Sequence, residues 1–405
     1  MKKALENIRV LDMSRVLAGP FCTQMLGDLG AEIIKVERPG AGDDTRGWGP
    51  PFVKDADGND TSESAYYLSC NRNKKSIAVD LSSDEGQQII RDLIAQSDIV
   101  IENFKVDGLK KYGLSYAALK EEYPHLIYCS ISGFGQNGPL AHEPGYDFLA
   151  QAMAGLMACT GEPGEAPMKV GVALSDVMTG MNAAIGILAA LNHRRETGLG
   201  QHIDLALTDC TLASLVNIAQ YYLTSGKTAP RLGNAHSTIV PYQAFAAKDG
   251  YVILAVGNDG QFKRFADLVG KSEWSEDERF ATNPARVENR EALVPMIEAI
   301  ISEQTIAHWI DALQDVDVPC GPVNTMDKVF KMEQIQARDM QIEMEHPLSR
   351  DAIKLVGSPL KFSETPVSYD LAPPVCGQHS DDILKDVLNM DEDEIAQLKA
   401  KDVIA

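Results

Sequence analysis

No apolar run in this chain reaches the roughly 18 residues a membrane span requires. The longest candidate, "MNAAIGILAALNHRRE", is broken by polar residues. The N-terminus, "MKKALENIRVLDMS", has no uninterrupted apolar core and no small-residue cleavage site, and it reads as the start of a strand rather than a signal peptide. Cysteine is sparse: the seven present (Cys22, Cys70, Cys129, Cys159, Cys210, Cys320, Cys376) form no Cys-x-x-Cys pair. Such a set predicts free thiols in a reducing compartment, argues against a zinc site, and places the chain in the cytoplasm. Basic charge is in deficit, with Lys plus Arg 37 against Asp plus Glu 58 and a net charge of −21. A surface of that sign repels nucleic acid and anionic membranes, so neither is expected as a partner. There is no His-Glu-x-x-His and no Gly-x-Ser-x-Gly, which removes the usual metalloprotease and α/β-hydrolase signatures.

What is present alternates. "IRVLDMS", "GPFCTQMLGDLG" and "AEIIKVERPG" read as strand, helix and strand, a βαβ unit that implies a parallel sheet. "SIAVDL", a helix with Ser82 and Glu85 at capping-box spacing, "IVIENF", a short helix and "HLIYCSISG" continue the pattern. An open α/β sheet with helices on its faces is the expected architecture. Helices dominate from Tyr146 to about Ser225, including one long helix beginning near Asp176 and closed by Gly198. "YQAFAAKDGYVILAVGN" reads as a hairpin. The expected layout is therefore a large domain over 1–225, a smaller α+β domain over 226–330, and a return to the large domain over 331–405.

Against the acidic background, basic clusters are informative. Arg72, Lys74 and Lys75 stand just before a strand, and Arg38, Lys110 and Lys111 follow strand ends, where open α/β sheets bind ligands. Together they would suit a polyanion such as a nucleotide. "GFGQNG" (133–138) has dinucleotide-loop spacing, but two prolines follow where a helix would have to start, so it reads as a tight loop and not as a nicotinamide site. Asp176 in "GVALSDVMTG" has two readings that the residues leave open. It is a helix cap, the commoner use of aspartate there, or a carboxylate kept ionised by the helix N-terminus and able to attack an acyl carbon.

Eight blocks in colinear order carry a specific resemblance. "RVLAGP…LGDLGAEIIKVERPGAGD", "NRNKKSIAVDL", "ENF", "GFGQNGP", "GYD", "ALSDVMTGM", "VPCGPVNTM" and "GQHSDDIL" resemble the class III CoA-transferases, from about residue 7 to the C-terminus. The resemblance implies a Rossmann-like large domain built from both chain ends, a small domain, and two chains interlocked as a homodimer. It places Asp176 on the family's catalytic aspartate. Val16, Leu17, Ala18, Arg38, Asn103 and Phe104 fall on its CoA-contacting positions, and Lys111 stands where some members carry Arg. No tightly bound cofactor and no metal are implied; the CoA thioester is a substrate.

The implied chemistry is attack of Asp176 on an acyl-CoA, an aspartyl anhydride, then an aspartyl-CoA thioester that a free carboxylic acid takes over. Arg38, Arg72, Lys74, Lys75 and Lys111 are the expected anchors of the CoA nucleotide. The amides around Gly135, Gln136 and Gly138 are the expected oxyanion donors. "GAGDDTRGWGPPF" and "AHSTIVPYQAF" resemble the dicarboxylate-using members, of the succinyl-CoA:glutarate type. A dicarboxylate must park its second carboxylate beside a cation, for which Arg15, Arg46 and His236 are the candidates; Arg46 in a loop ion pair is the alternative. The related α-methylacyl-CoA racemases pair the aspartate with a histidine where this chain has Tyr146, a phenol too weakly acidic to serve, which favours transfer. Racemisation and non-catalytic CoA binding remain the competing readings.

Overall fold

The computed structural model describes residues 2–405. Strand β1 (Arg9–Asp12), helix α1 (Ala18–Asp28) and strand β2 (Glu32–Glu37) form a βαβ unit with Arg9 opposite Glu32 in parallel register. Strand β3 (Lys74–Ala78), helix α2 (Asp84–Ala95), and strands β4 (Ile99–Glu102), β5 (Ile127–Ser132) and β6 (His202–Ala206) complete a parallel six-stranded sheet. Its order is β3-β2-β1-β4-β5-β6. In this doubly wound order the winding reverses between β1 and β4, which opens a crevice beyond their carboxyl ends.

Strand alternation builds a core on each face. Leu11, Ile34, Val36, Ile77 and Val100 point to the side of α2, where Ile90 and Leu93 meet them together with Ile383, Leu384 and Ile395 from the end of the chain. Val10, Ile33, Ile99, Ile101 and Ile127 point the other way, against Cys22 and Leu26 of α1. On that face lie also helix α3 (Asp147–Met153), the long helix α4 (Leu174–Thr197) and helix α5 (Leu207–Ser214). The returning C-terminal segment is tied to the sheet at Val79, which bridges Ile404.

Several local expectations change. Ser83, not Ser82, caps α2 by accepting the Gly86 N–H at 3.0 Å, while the Ser82 hydroxyl turns to Asp80, so the Ser82–Glu85 box does not form. The helix-rich stretch after Tyr146 is not continuous: Asp147–Met153 and Leu156–Cys159 are separate helices parted at Gly155, where φ is +93°. By length and composition α4 is apolar enough to cross a bilayer, with mean hydropathy 1.5. Its Gly180, Ala183, Ile187 and Ala190 are nonetheless buried among the residues of this unit. Gly180 permits the contact with α1: a Cβ there would fall 2.6 Å from the Ala18 carbonyl oxygen.

The chain divides into two compact units. The first contains the residues up to Leu156, Val170–Gln220 and Glu333–Ala405; the second contains Met157–Lys169 and Tyr221–Met332. The second unit therefore takes in residues 157–169, which the sequence reading had kept with the large domain. It has a three-stranded antiparallel sheet made of the hairpin Tyr242–Ala247 and Gly250–Ala255 plus Cys320–Pro322. Phe245, Val252, Leu254, Phe262, Phe265 and Trp309 form its core.

Candidate active site

Asp176 is the third residue of α4, so it lies in the first turn and does not cap the helix. The cap comes from far away in sequence. Asp147 Oδ1, at the start of α3, accepts the N–H groups of Ser175 at 2.8 Å and of Asp176 at 3.4 Å. Asp147 is brought there by two backbones that cross in contact at Gly133 and Gly145: a Cβ on Gly145 would lie 2.2 Å from the Gly133 Cα.

This arrangement reverses one electrostatic expectation. The amides that were to hold Asp176 ionised are spent on Asp147. Burial, and then the negative charge of Asp147, push the Asp176 carboxyl up to about 7. Desolvation outweighs the helix dipole, which is worth under about 2 kcal/mol even in favourable geometry. Tyr66 also senses the Asp176 charge; burial first, and that charge second, push its phenol up to about 12, so it remains a protonated donor.

Asp176 opens into a cavity of about 170 Å³ lined by Arg15, Val16, Leu17, Ala18, Asn103, Phe104, Tyr146 and Asp147. Those residues sit beyond the carboxyl ends of β1 and β4, at the topological switch point. Asn103 locks the two edges together: its carboxamide accepts the Arg15 N–H at 2.9 Å and donates to the Arg15 carbonyl at 2.7 Å. A larger cavity of about 390 Å³ contains Arg38, Asp80, Ser82, Tyr112 and Lys35, and shares Arg15 and Phe104 with the first. Glu102, just before Asn103, accepts the Phe104 N–H at 2.8 Å, and burial raises its carboxyl to about 7.

Three groups of sequence-predicted residues fall elsewhere. Arg72 and Lys74 are buried and cannot anchor a ligand from solvent. Arg72 makes a two-pronged pair with Asp28 at 2.9 and 2.5 Å, and Lys74 donates to Asp12, the Pro20 carbonyl and Asn71. Arg46 is buried too. Its guanidinium is shared among Glu37, Glu63, the Tyr67 hydroxyl and the Pro374 carbonyl, and it stacks 3.7 Å from the Tyr67 ring centroid. No N–H is left for a substrate carboxylate, so Arg46 is withdrawn from the acyl pocket. The Gly135 and Gln136 amides are likewise committed, the first to Ser132 Oγ at 2.9 Å and the second to the Asp204 carboxylate at 3.0 Å; with Gly138, they lie outside the Asp176 cavity.

The rest are accessible but dispersed. Lys75 pairs with Glu32 at 2.8 Å on β3. Lys111 lies 4.5 Å over the ring of Tyr112, which lines the larger cavity. His236, in the second unit, accepts the Thr238 N–H through Nδ1 at 3.2 Å and tilts against Tyr242. Arg15 is exposed and paired with Asp44 at 2.7 Å.

The burial of Arg72 separates two roles that charge alone confuses. Arg72→Ala strands Asp28 in the interior and is expected to cost about 3–5 kcal/mol of stability. KM for a CoA thioester should not move, and urea unfolding beside steady-state kinetics reads both.

Comparison with known proteins follows the geometry. A family model described as CoA-transferase family III matches residues 5–380. A succinate–glutarate CoA-transferase of Agrobacterium fabrum is 46% identical over 393 residues, 95% of this chain and 96% of that protein. A succinyl-CoA:glutarate CoA-transferase of Mus musculus is 44% identical over 402 residues, 99% of this chain and 90% of that protein. The crystal structure of a CAIB/BAIF family protein from Brucella suis superposes with a TM-score of 0.86 at 45% identity, covering 96% of this chain and 100% of that one. The chain belongs to CoA-transferase family III and is an acyl-CoA:carboxylate CoA-transferase.

Proposed function

We propose that the enzyme moves CoA from succinyl-CoA to glutarate through covalent intermediates on Asp176. The observation that carries this reading is a carboxylate opening onto a small cavity at the sheet's switch point, next to unspent amides. Leu17 and Ala18, at the start of α1, line the same cavity, and their N–H groups have no partner among the described residues. They replace Gly135 and Gln136 as the donors for a developing oxyanion.

The atoms balance as follows. An Asp176 oxygen attacks the succinyl thioester carbon and expels CoA thiolate, leaving an aspartyl–succinyl anhydride. The thiolate attacks the aspartyl carbonyl, releases succinate and forms an aspartyl-CoA thioester. Glutarate attacks that carbonyl, expels the thiolate again and forms an aspartyl–glutaryl anhydride. Thiolate attack on the glutaryl carbonyl yields glutaryl-CoA and restores Asp176. Arg38 and Phe104 in the larger cavity hold the nucleotide end, so that the thiolate stays near the anhydride between steps. Lys75 and Lys111 add positive charge at the surface.

With Arg46 withdrawn, Arg15, which lines the Asp176 cavity, is the candidate for the distal carboxylate. The exposed Arg15–Asp44 pair is worth about 1 kcal/mol or less, so a substrate carboxylate can displace Asp44. Racemisation is disfavoured, because no histidine lines the Asp176 cavity and Tyr146 is exposed. A homodimer, held in the cytoplasm, completes the reading. Tyr146, Phe148, Val172, Ile185, Leu212 and Val216 are all more than half exposed on the first unit, which is an apolar display that an isolated chain rarely carries.

Glutaryl-CoA formed from succinyl-CoA and glutarate, followed by mass spectrometry, tests the substrates. Solvent deuterium entering C2 of a 2-methylacyl-CoA would instead support racemisation. CoA-dependent thermal stabilisation without acyl exchange would leave only a binding protein.

A further inference from the structure

Val16 has φ +72°, in the left-handed region that a β-branched residue seldom enters. It stands between the end of β1 and the start of α1, so its conformation decides where the amides of Leu17 and Ala18 point. What holds it belongs to another loop. The Val16 N–H is shared by both carboxylate oxygens of Asp43, at 3.3 Å each. Asp43 also accepts from the Lys35 ammonium at 2.9 Å, the Thr45 N–H at 3.0 Å and the Thr45 hydroxyl at 2.8 Å. Lys35 donates in addition to the Ser14 carbonyl at 3.0 Å. One ion pair thus grips the backbone on both sides of Arg15, and both of its side chains are fully buried.

We propose that the Asp43–Lys35 pair is a positioning device for acyl transfer: it holds Val16 in a left-handed turn and so presents the Leu17 and Ala18 amides to the reacting carbonyl. The proposal rests on the Asp176 reading above. Strained backbone persists only where its surroundings impose it, and it gathers at functional sites. Here the imposing groups are specific. The neighbouring Lys35 charge is the chief influence that lowers the Asp43 carboxyl, to about 2 against its burial, so the pair stays ionised through the working pH range. Lys35 also faces Asp12 and Glu37, whose charges hold its ammonium protonated. Neither Asp43 nor Lys35 lines the Asp176 cavity; both border the larger one with fully buried side chains, so their influence on the Asp176 side passes through Val16.

A mutant cycle tests the proposal. Asp43→Asn weakens the grip, and kcat is expected to fall about tenfold to a hundredfold, the scale of a ~1 Å misplacement of reacting groups. Affinity for CoA itself, measured by titration calorimetry, should change far less than kcat, because free CoA lacks the reacting thioester carbonyl that those amides are placed to meet. Glycine enters the left-handed region without a clamp. In the Val16→Gly background, Asp43→Asn should therefore cost less than about threefold in kcat. If Asp43→Asn alone does not fold, Lys35→Met/Asp43→Asn, which buries no unpaired charge, is compared with and without Val16→Gly and the same rescue is expected. Equal losses in the two backgrounds, or a loss confined to KM, would overturn the proposal. Asp176→Asn run alongside separates the two readings. An active Asp176→Asn sinks the covalent mechanism, whereas an inactive one with a flat cycle sinks only the clamp.

Discussion

Asp176→Asn is expected to abolish CoA transfer, with kcat down on the order of 10⁴-fold or more, the scale seen when a covalent nucleophile is removed. The carboxamide is nearly isosteric, and the Asp147 cap on Ser175 N–H does not involve the Asp176 side chain. Folding should survive, and at high pH the variant should be the more stable protein. The sign follows from the raised carboxyl, which sits at about 7 when folded against an ordinary aspartate value of 3.8. Ionising it in the folded state costs free energy that is absent in acid, develops as pH climbs past the unfolded value, and is complete above about 7. Removing the charge therefore raises Tm at pH 8 and leaves it unchanged at pH 4. Thermal unfolding at the two pH values, beside a transfer assay, checks both halves.

The second large effect is on pH. The attacking group must be ionised, so with a carboxyl at about 7 the rate should fall tenfold for each pH unit below neutrality, reaching about a hundredfold at pH 5, and level off above. Burial also raises Glu102 to about 7, and Glu102 accepts the N–H of Phe104, a residue of the Asp176 cavity, so the inflection alone does not identify its owner. Asp147→Asn does. It removes the like charge that helps raise Asp176 while leaving an oxygen to accept the Ser175 N–H. The inflection should move to lower pH if Asp176 is the titrating group and stay in place if Glu102 is.

The sheet was readable because each strand carries a period that only burial on two faces explains. "IRVLD" and "IVIEN" show it, and Val10 and Leu11 duly enter opposite cores. The residues alone left Asp176 open between cap and nucleophile, and the segments 16–18 and 103–104 stood out only through the family resemblance; the structure brings all of them to one cavity. The basic cluster at 72–75 misled because a net charge of −21 makes any cation look like a ligand site, whereas Arg72 and Lys74 neutralise acids inside the fold. Burial is a property of three dimensions, and "NRNKK" does not encode it locally. The same limit hid Asp147: a cap normally sits beside its helix, and this one arrives across a glycine crossing from another helix start. Its only signal was an aspartate placed directly after Tyr146 in "GYD". Asp43 and Lys35 were invisible for a like reason, since nothing in "KVERPGAGD" announces that Val16 needs restraint.

The central claim is covalent, and it is best tested by stopping the reaction halfway. Enzyme incubated with succinyl-CoA and no acceptor, treated with borohydride or hydroxylamine and digested, should yield one modified peptide, with the change on Asp176 and absent from Asp176→Asn. A protein that turns over normally while the label appears on another residue, or on none, would contradict the account.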